Sequence, residues 1–201
     1  MSDPCPICRA ALNYFTVVDG FDYFDCSGCG SILIEPAILA SIDAGRHLRT
    51  YDESYWSVEI EAARHRAYGS SLARFAELML YARRPVRRFV DIAAGPGLLL
   101  DSLATYLPAS TDRFFAVEMF PPPEHTTNPN FYVGPLREIT GTFDAGVCIE
   151  ALEHLTPTMA AALAEDIASK SEPDSIYLFN TGMPQFVRAS DPSYLDPLTG
   201  C

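Results

Sequence analysis

Arg88-Phe-Val-Asp-Ile-Ala-Ala-Gly-Pro-Gly97 is the stretch on which the fold turns. Residues 88–92 form a short apolar run interrupted by Asp91, which reads as a buried strand. Residues 93–97 are small or turn-forming, and residues 98–107 place leucines at helical spacing until Pro108 stops them. A strand, a tight turn and a helix in that order leave a turn whose backbone a ligand can approach closely. The pattern continues downstream. Residues 113–118 read as a second strand, 121–129 as a proline-rich loop, 130–133 as a third strand and 142–149 as a fourth. Residues 158–169 read as a helix and 175–180 as a fifth strand. Strands alternating with helices predict an α/β, doubly wound, mostly parallel sheet covered on both faces, with ligands beyond the carboxyl ends of the strands.

Upstream, residues 36–48 read as a short helix, and Tyr51-Asp-Glu-Ser-Tyr-Trp56 as an aromatic, acidic connector. From 58 to 83, Ile60, Ala63, Ala67, Leu72, Phe75, Leu78, Met79 and Ala82 recur every three or four residues, predicting one long helix ended by Pro85. The division expected along the chain is therefore 1–35, 36–84 and 85–201.

The first 35 residues carry Cys5, Cys8, Cys26 and Cys29, two Cys-x-x-Cys pairs separated by 17 residues. That spacing suits a four-cysteine zinc ribbon, because two residues between ligands let one turn aim both sulfurs at a tetrahedral Zn2+. Gly30 supplies the positive φ such a turn needs, and Asp19-Gly20 between two β-rich runs reads as a hairpin. Two disulfides are the competing reading, disfavoured in a reducing compartment. A thioredoxin-type redox pair would open a helix in a βαβ unit, and neither pair does. A closed four-sulfur site has no open position, so this zinc is expected to hold structure. Cys148, in an apolar run, reads as a core residue.

With 201 residues, 48% hydrophobic, the chain has enough apolar surface for one ordinary domain and a small appendage. It lacks an apolar run of membrane-spanning length, and its first residues lack the pattern of a secretory signal; the expected location is cytoplasmic. Fourteen Lys and Arg against 26 Asp and Glu give a formal charge of −12, which opposes a nucleic-acid partner. Arg83, Arg84, Arg87 and Arg88 cluster where a helix ends, a position that suits cations and a solvated face.

Asp91 through Gly97, Val117-Glu118, and Phe143-Asp-Ala-Gly-Val-Cys-Ile-Glu-Ala-Leu-Glu-His-Leu155 stand at three successive strand ends. In this order they resemble class I S-adenosylmethionine-dependent methyltransferases of Rossmann-like fold, in particular the small-molecule type with an N-terminal zinc ribbon. The connector at 51–56 is similar to one in those ribbon-bearing members. The resemblance implies S-adenosylmethionine as cofactor, held by Asp91, Ala93, Ala94, Gly95, Gly97, Glu118, Met119 and Glu150, with Glu118 on the ribose and Met119 and Phe120 against adenine. It implies methyl transfer to a small-molecule metabolite such as a sugar or natural-product intermediate, with His154 as candidate base. Tyr51, Tyr55 and Trp56 are candidates for a lid, with packing as the competing role. Plain readings stand beside these: Asp91 capping its turn, Glu118 solvated, His154 satisfied by local backbone.

A dinucleotide fingerprint beginning at Gly95 would need glycine where Leu100 stands. Ala93 occupies the usual first glycine of the methyltransferase motif, a mild change at negative φ and a costly one at positive φ. Residues 133–136 lack the acid often directed at adenine. The 21 residues after Asn180 are too few for the helix and antiparallel strand pair that end the family fold, so the expectation is either that the chain is a fragment or that a homo-oligomer or partner covers the fifth strand's edge. Two other functions compete. An RNA methyltransferase would use the ribbon to grip nucleic acid, yet residues 1–35 hold only Arg9 against Asp3, Asp19, Asp22, Asp25 and Glu35. A non-catalytic zinc-ribbon scaffold is the other.

Overall fold

The computed structural model describes residues 4–46, 52–189 and 195. Tyr51, Cys201 and the predicted end of the first helix at Leu48 lie outside the described residues. Packing divides the chain into two units. One gathers residues 4–46 with 152–162, 181–189 and Leu195; the other comprises residues 52–151 and 163–180.

In the first unit, β1 (Leu12–Val18) and β2 (Phe21–Cys26) form an antiparallel hairpin, and β3 (Ile32–Ile34) pairs on the far side of β2. The hairpin turns at Asp19 (φ 52°) and Gly20 (φ 84°), two consecutive left-handed residues of the kind the Asp-Gly pair predicts. α1 (Pro36–Asp43) follows, with proline in its first turn, where no intrahelical donor is lost. Tyr23, Ile32, Ile34 and Leu39 bury one small core, joined by Val187 of α6 (Pro184–Ala189) and by Leu195. Arg188 of α6 forks onto the Asp25 carboxylate at 2.6 and 3.2 Å and donates to the Gly30 carbonyl at 2.6 Å.

The second unit is built on five parallel strands: β4 (Phe89–Ile92), β5 (Phe114–Glu118), β6 (Phe131–Val133), β7 (Phe143–Ile149) and β8 (Ser171–Asn180), in the order β6-β5-β4-β7-β8. The α/β, doubly wound expectation holds. Phe89, Phe114, Ala145 and Val147 bury one face beneath Phe75 and Leu78 of α3 (Leu72–Ala82) and Leu99, Leu100 and Leu103 of α4 (Leu98–Tyr106). Val90, Ile92, Val117 and Cys148 bury the other with Leu163 and Ile167 of α5 (Pro157–Ser169). The strand order reverses between β4 and β7, and a crevice at such a switch point is where open α/β sheets bind ligands. Among the described residues no helix is long and apolar enough to cross a membrane.

Three expectations need correction. The single helix over 58–83 begins earlier and is interrupted: α2 spans Glu53–Arg66, and the wider π-helical turn Ala67–Ser71 separates it from α3. Asp52 starts α2 by accepting the N–H groups of Ser54 and Tyr55 at 3.0 and 3.2 Å. β8 begins at Ser171, with an irregular excursion before Ile176 takes up pairing with Ala145. The arginine cluster is not uniformly a solvated face. Arg84 donates to the carbonyls of Pro173 and Asp174, and the Arg88 guanidinium lies over the Phe115 and Phe143 rings at 4.3 and 4.9 Å.

Candidate functional site

The four ribbon cysteines come together: their Sγ atoms lie within 4.8 Å of one another. A tetrahedral ion with zinc–sulfur bonds of ~2.3 Å sets sulfurs roughly 3.8 Å apart. Cys5 and Cys29 stand at 3.9 Å and Cys8 and Cys26 at 3.3 Å, and none forms a disulfide. The two turns repeat one design. Arg9 N–H donates to the Cys5 carbonyl at 2.9 Å and Gly30 N–H to the Cys26 carbonyl at 3.0 Å. Arg9 (φ 66°) and Gly30 (φ 74°) are both left-handed, so the first turn holds a non-glycine residue where the second has glycine. The N–H groups of Cys29 and Gly28 face the Cys26 sulfur and bring its thiol down to about 6, so that thiolate forms easily. Geometry and donor chemistry fit a structural divalent ion.

At the carboxyl ends of β4 and β5 a second site is assembled. Ala93, Gly95 and Gly97 are all left-handed, with φ of 57°, 56° and 79°. This zigzag carries the chain from β4 into α4, whose N-cap is Gly97. Ala93 therefore occupies the costly case foreseen for it. Gly97 cannot be replaced without disturbance, because a Cβ there would collide with Thr126 and lie 2.9 Å from the Phe131 ring. Thr126 closes that side of the turn: its N–H donates to the Pro96 carbonyl at 2.9 Å and its hydroxyl to Asp101 at 2.5 Å. Neither motif nor periodicity within the proline-rich loop signals this role.

Glu118, the last residue of β5, accepts the Gly95 N–H on Oε2 at 2.8 Å and the Phe120 N–H on Oε1 at 2.9 Å. Burial nevertheless raises its carboxyl above the usual range. Asp91, only 6% exposed, is pushed up to about 8, first by burial and then by the neighbouring Glu118 charge. Among the described residues no hydrogen bond offsets that burial, so Asp91 offers an acceptor in want of a cationic or donor partner. Met119 and Phe120 follow the strand with exposed side chains, 55% and 53% accessible. They present apolar surface at the same end of the sheet.

Trp56, on the first turn of α2, lies against the Gly95 turn. Its indole N–H is buried, with no acceptor among the described residues. A small-residue cradle, a buried carboxyl and a buried donor, neither of the last two paired among the described residues, fit a polar ligand with both donors and acceptors.

Glu150 stands after β7, beside the end of β4, and is also left-handed (φ 52°). Its N–H donates to the Asn180 carbonyl at 2.7 Å, and its carboxylate accepts from the Asn180 amide. Asn180 in turn accepts from Arg74 of α3 at 3.1 Å. The structure thus brings Asp91, Ala93, Ala94, Gly95, Gly97, Glu118 and Met119 to neighbouring strand ends, with Glu150 at the next. His154 belongs to the other unit, on a short turn over Leu152–His154. There Thr156, fully buried, donates to Asp43 of α1 at 2.5 Å, and Thr158 donates to the other oxygen at 2.8 Å. Thr181 donates to Glu153 at 2.7 Å. Nothing in the local sequence signals this clamp.

No protein-family model matches the chain, and no curated protein matches it. Among solved structures it is similar to DesVI of Streptomyces venezuelae, with 15% identity, TM-score 0.48 and coverage of 66% of this chain and 58% of that one. It is also similar to an S-adenosylmethionine-dependent methyltransferase of Clostridium acetobutylicum, with 12% identity, TM-score 0.44 and coverage of 57% and 50%. A third is magnesium protoporphyrin IX methyltransferase of Synechocystis with bound SAH, with 16% identity, TM-score 0.41 and coverage of 66% and 64%. The chain thus spans between half and two thirds of the length of these proteins.

Proposed function

We propose that this protein is an S-adenosylmethionine-dependent methyltransferase for a small-molecule metabolite, steadied by one structural zinc on Cys5, Cys8, Cys26 and Cys29. The observation that carries the reading is the joint at the carboxyl ends of β4 and β5. There the Glu118 carboxylate grips the Gly95 N–H beside the buried Asp91 carboxyl, which has no hydrogen-bond partner among the described residues. Such a pair of acids suits a ligand bearing ribose hydroxyls and a cationic amino-acid end.

Bound there, the cofactor supplies an activated methyl group on a sulfonium. The protein's part is alignment and exclusion of water. Residues 93–97 bring backbone close to the ligand, with Asp91 toward its ammonium and Glu118 toward its ribose. Met119 and Phe120 offer an apolar face to the base. Glu150 positions cofactor or substrate from the end of β7. His154 is the proposed base when the acceptor is a hydroxyl or amine. The ribbon's acidic balance favours a small-molecule acceptor over RNA.

Calorimetry with S-adenosylmethionine tests the reading. Binding to the intact chain is expected, abolished by Gly95→Arg and weakened by Glu118→Ala. Failure of the intact, zinc-loaded chain to bind leaves the scaffold reading in its place.

A further inference from the structure

Trp56 is the chain's single tryptophan, and its placement is specific. The Asp52 cap fixes the start of α2, and Trp56 N–H donates to the Asp52 carbonyl at 3.1 Å, so the residue sits on an ordered first turn. Tyr55 packs edge-on against the indole, with ring centres 5.0 Å apart. The far edge of the indole rests on Gly95: a Cβ built there would lie 3.6 and 3.8 Å from Cη2 and Cζ3, ordinary van der Waals contact. Yet Nε1 is buried and has no acceptor among the described residues. An indole nitrogen only donates, and a buried donor left unpaired is costly, so tryptophans in such positions normally have a partner.

No described residue supplies one. Asp91 carries the complementary defect, a buried carboxyl with no hydrogen-bond partner among the described residues. The indole rests on the turn that leaves β4, and Asp91 lies in the last two residues of that strand, so the donor and the acid belong to the same end of the sheet. A free α-amino acid group, with carboxylate and ammonium on one carbon, satisfies both.

We propose that Trp56 is a cofactor-binding residue whose indole N–H donates to the carboxylate of the ligand's amino-acid end, opposite the ammonium held by Asp91. This rests on the cofactor reading above and adds to it a determinant for the aminoacyl half of the ligand. Trp56 thereby separates S-adenosylhomocysteine from 5′-methylthioadenosine, which has the same nucleoside and no amino-acid group.

With one tryptophan, a nitrogen-15-labelled zinc-loaded chain gives one indole N–H cross-peak. It is expected to move downfield on saturation with S-adenosylhomocysteine and to stay in place with 5′-methylthioadenosine. By calorimetry Trp56→Phe, which keeps an aromatic ring and removes the donor, is expected to weaken S-adenosylhomocysteine roughly tenfold and leave 5′-methylthioadenosine within about twofold. An unmoved cross-peak in the saturated wild-type chain overturns the proposal while the cofactor reading stands. So does a Trp56→Phe variant that binds both ligands equally well or equally badly. Wild-type protein that binds neither ligand overturns the cofactor reading itself, and this proposal with it.

Discussion

The carboxylate of Glu118 holds the backbone N–H of Gly95 at 2.8 Å, tying the end of β5 to the turn that leaves β4. Glu118→Ala frees both the Gly95 and Phe120 N–H groups. Affinity for S-adenosylmethionine is expected to fall at least tenfold, and stability by about 1–2 kcal/mol, as read by calorimetry and denaturant unfolding. A variant that binds as tightly as wild type would remove Glu118 from the site.

Asp91 makes the stability of the protein fall as pH rises from acid to neutral. Its carboxyl, ordinarily near 3.8, stands at about 8 in the fold, so between those values the folded chain holds a proton that the unfolded chain has released. Stability is therefore expected to be greatest at the acid end of this window and to decline as pH rises through it. Asp91→Asn should flatten that part of the curve and exceed wild type in stability near pH 8. Melting temperature against pH for the two proteins checks this. A slope of the same size in Asp91→Asn would assign the effect to other groups.

Ala93 and Gly97 share a left-handed conformation but respond oppositely to change. Ala93→Gly is expected to stabilise the fold by roughly 0.5–1 kcal/mol, since alanine at φ 57° bears a penalty that glycine escapes. Gly97→Ala should destabilise it by roughly 2–4 kcal/mol, because its new methyl strikes Thr126 and crowds Phe131. Urea titrations of the two variants test the contrast.

Removal of metal should reach beyond the cysteines. One zinc per chain is expected by metal analysis and should be lost in Cys8→Ser. On chelation, amide exchange should quicken in 4–46, in 156–160 and in 184–189, which pack in the same unit. The strands 89–92 and 143–149 should keep their protection. A folded, metal-free wild-type chain would refute the zinc assignment.

Asp43→Ala leaves the buried Thr156 hydroxyl without its acceptor and releases Thr158. A loss of about 1–3 kcal/mol is expected, confined to the unit holding the ribbon, with S-adenosylmethionine affinity unchanged. Unfolding curves and calorimetry together separate these effects.

Much of this was legible in the sequence because it is local. The five parallel strands follow from apolar runs with glycine and proline between them, and the cysteine pairs and the Asp19-Gly20 turn fix their geometry over a few residues. Glu118 was legible by its distance from Gly95 along the chain, and its bond to that residue's N–H follows from strand register. What escaped was set by contacts across long separations. Thr126 against Gly97, Asp43 with Thr156, and Arg188 on Asp25 each pair side chains that no periodicity links. The sign of φ at Ala93 was equally hidden, since alanine ordinarily avoids that region.

The π-helical turn at Ala67–Ser71 has a consequence for the aromatic residue upstream of it. A turn of this kind accommodates one more residue than an α-helical turn, so it offsets the phase of α2 from that of α3 by about 100°. Excising a single exposed residue there, Tyr68 or Gly69, would let one uninterrupted helix form. With α3 anchored by Phe75 and Leu78, the preceding segment would swing about its axis by that angle, carrying the indole off Gly95. The orientation of Trp56 is thus written in a one-residue surplus eleven positions away.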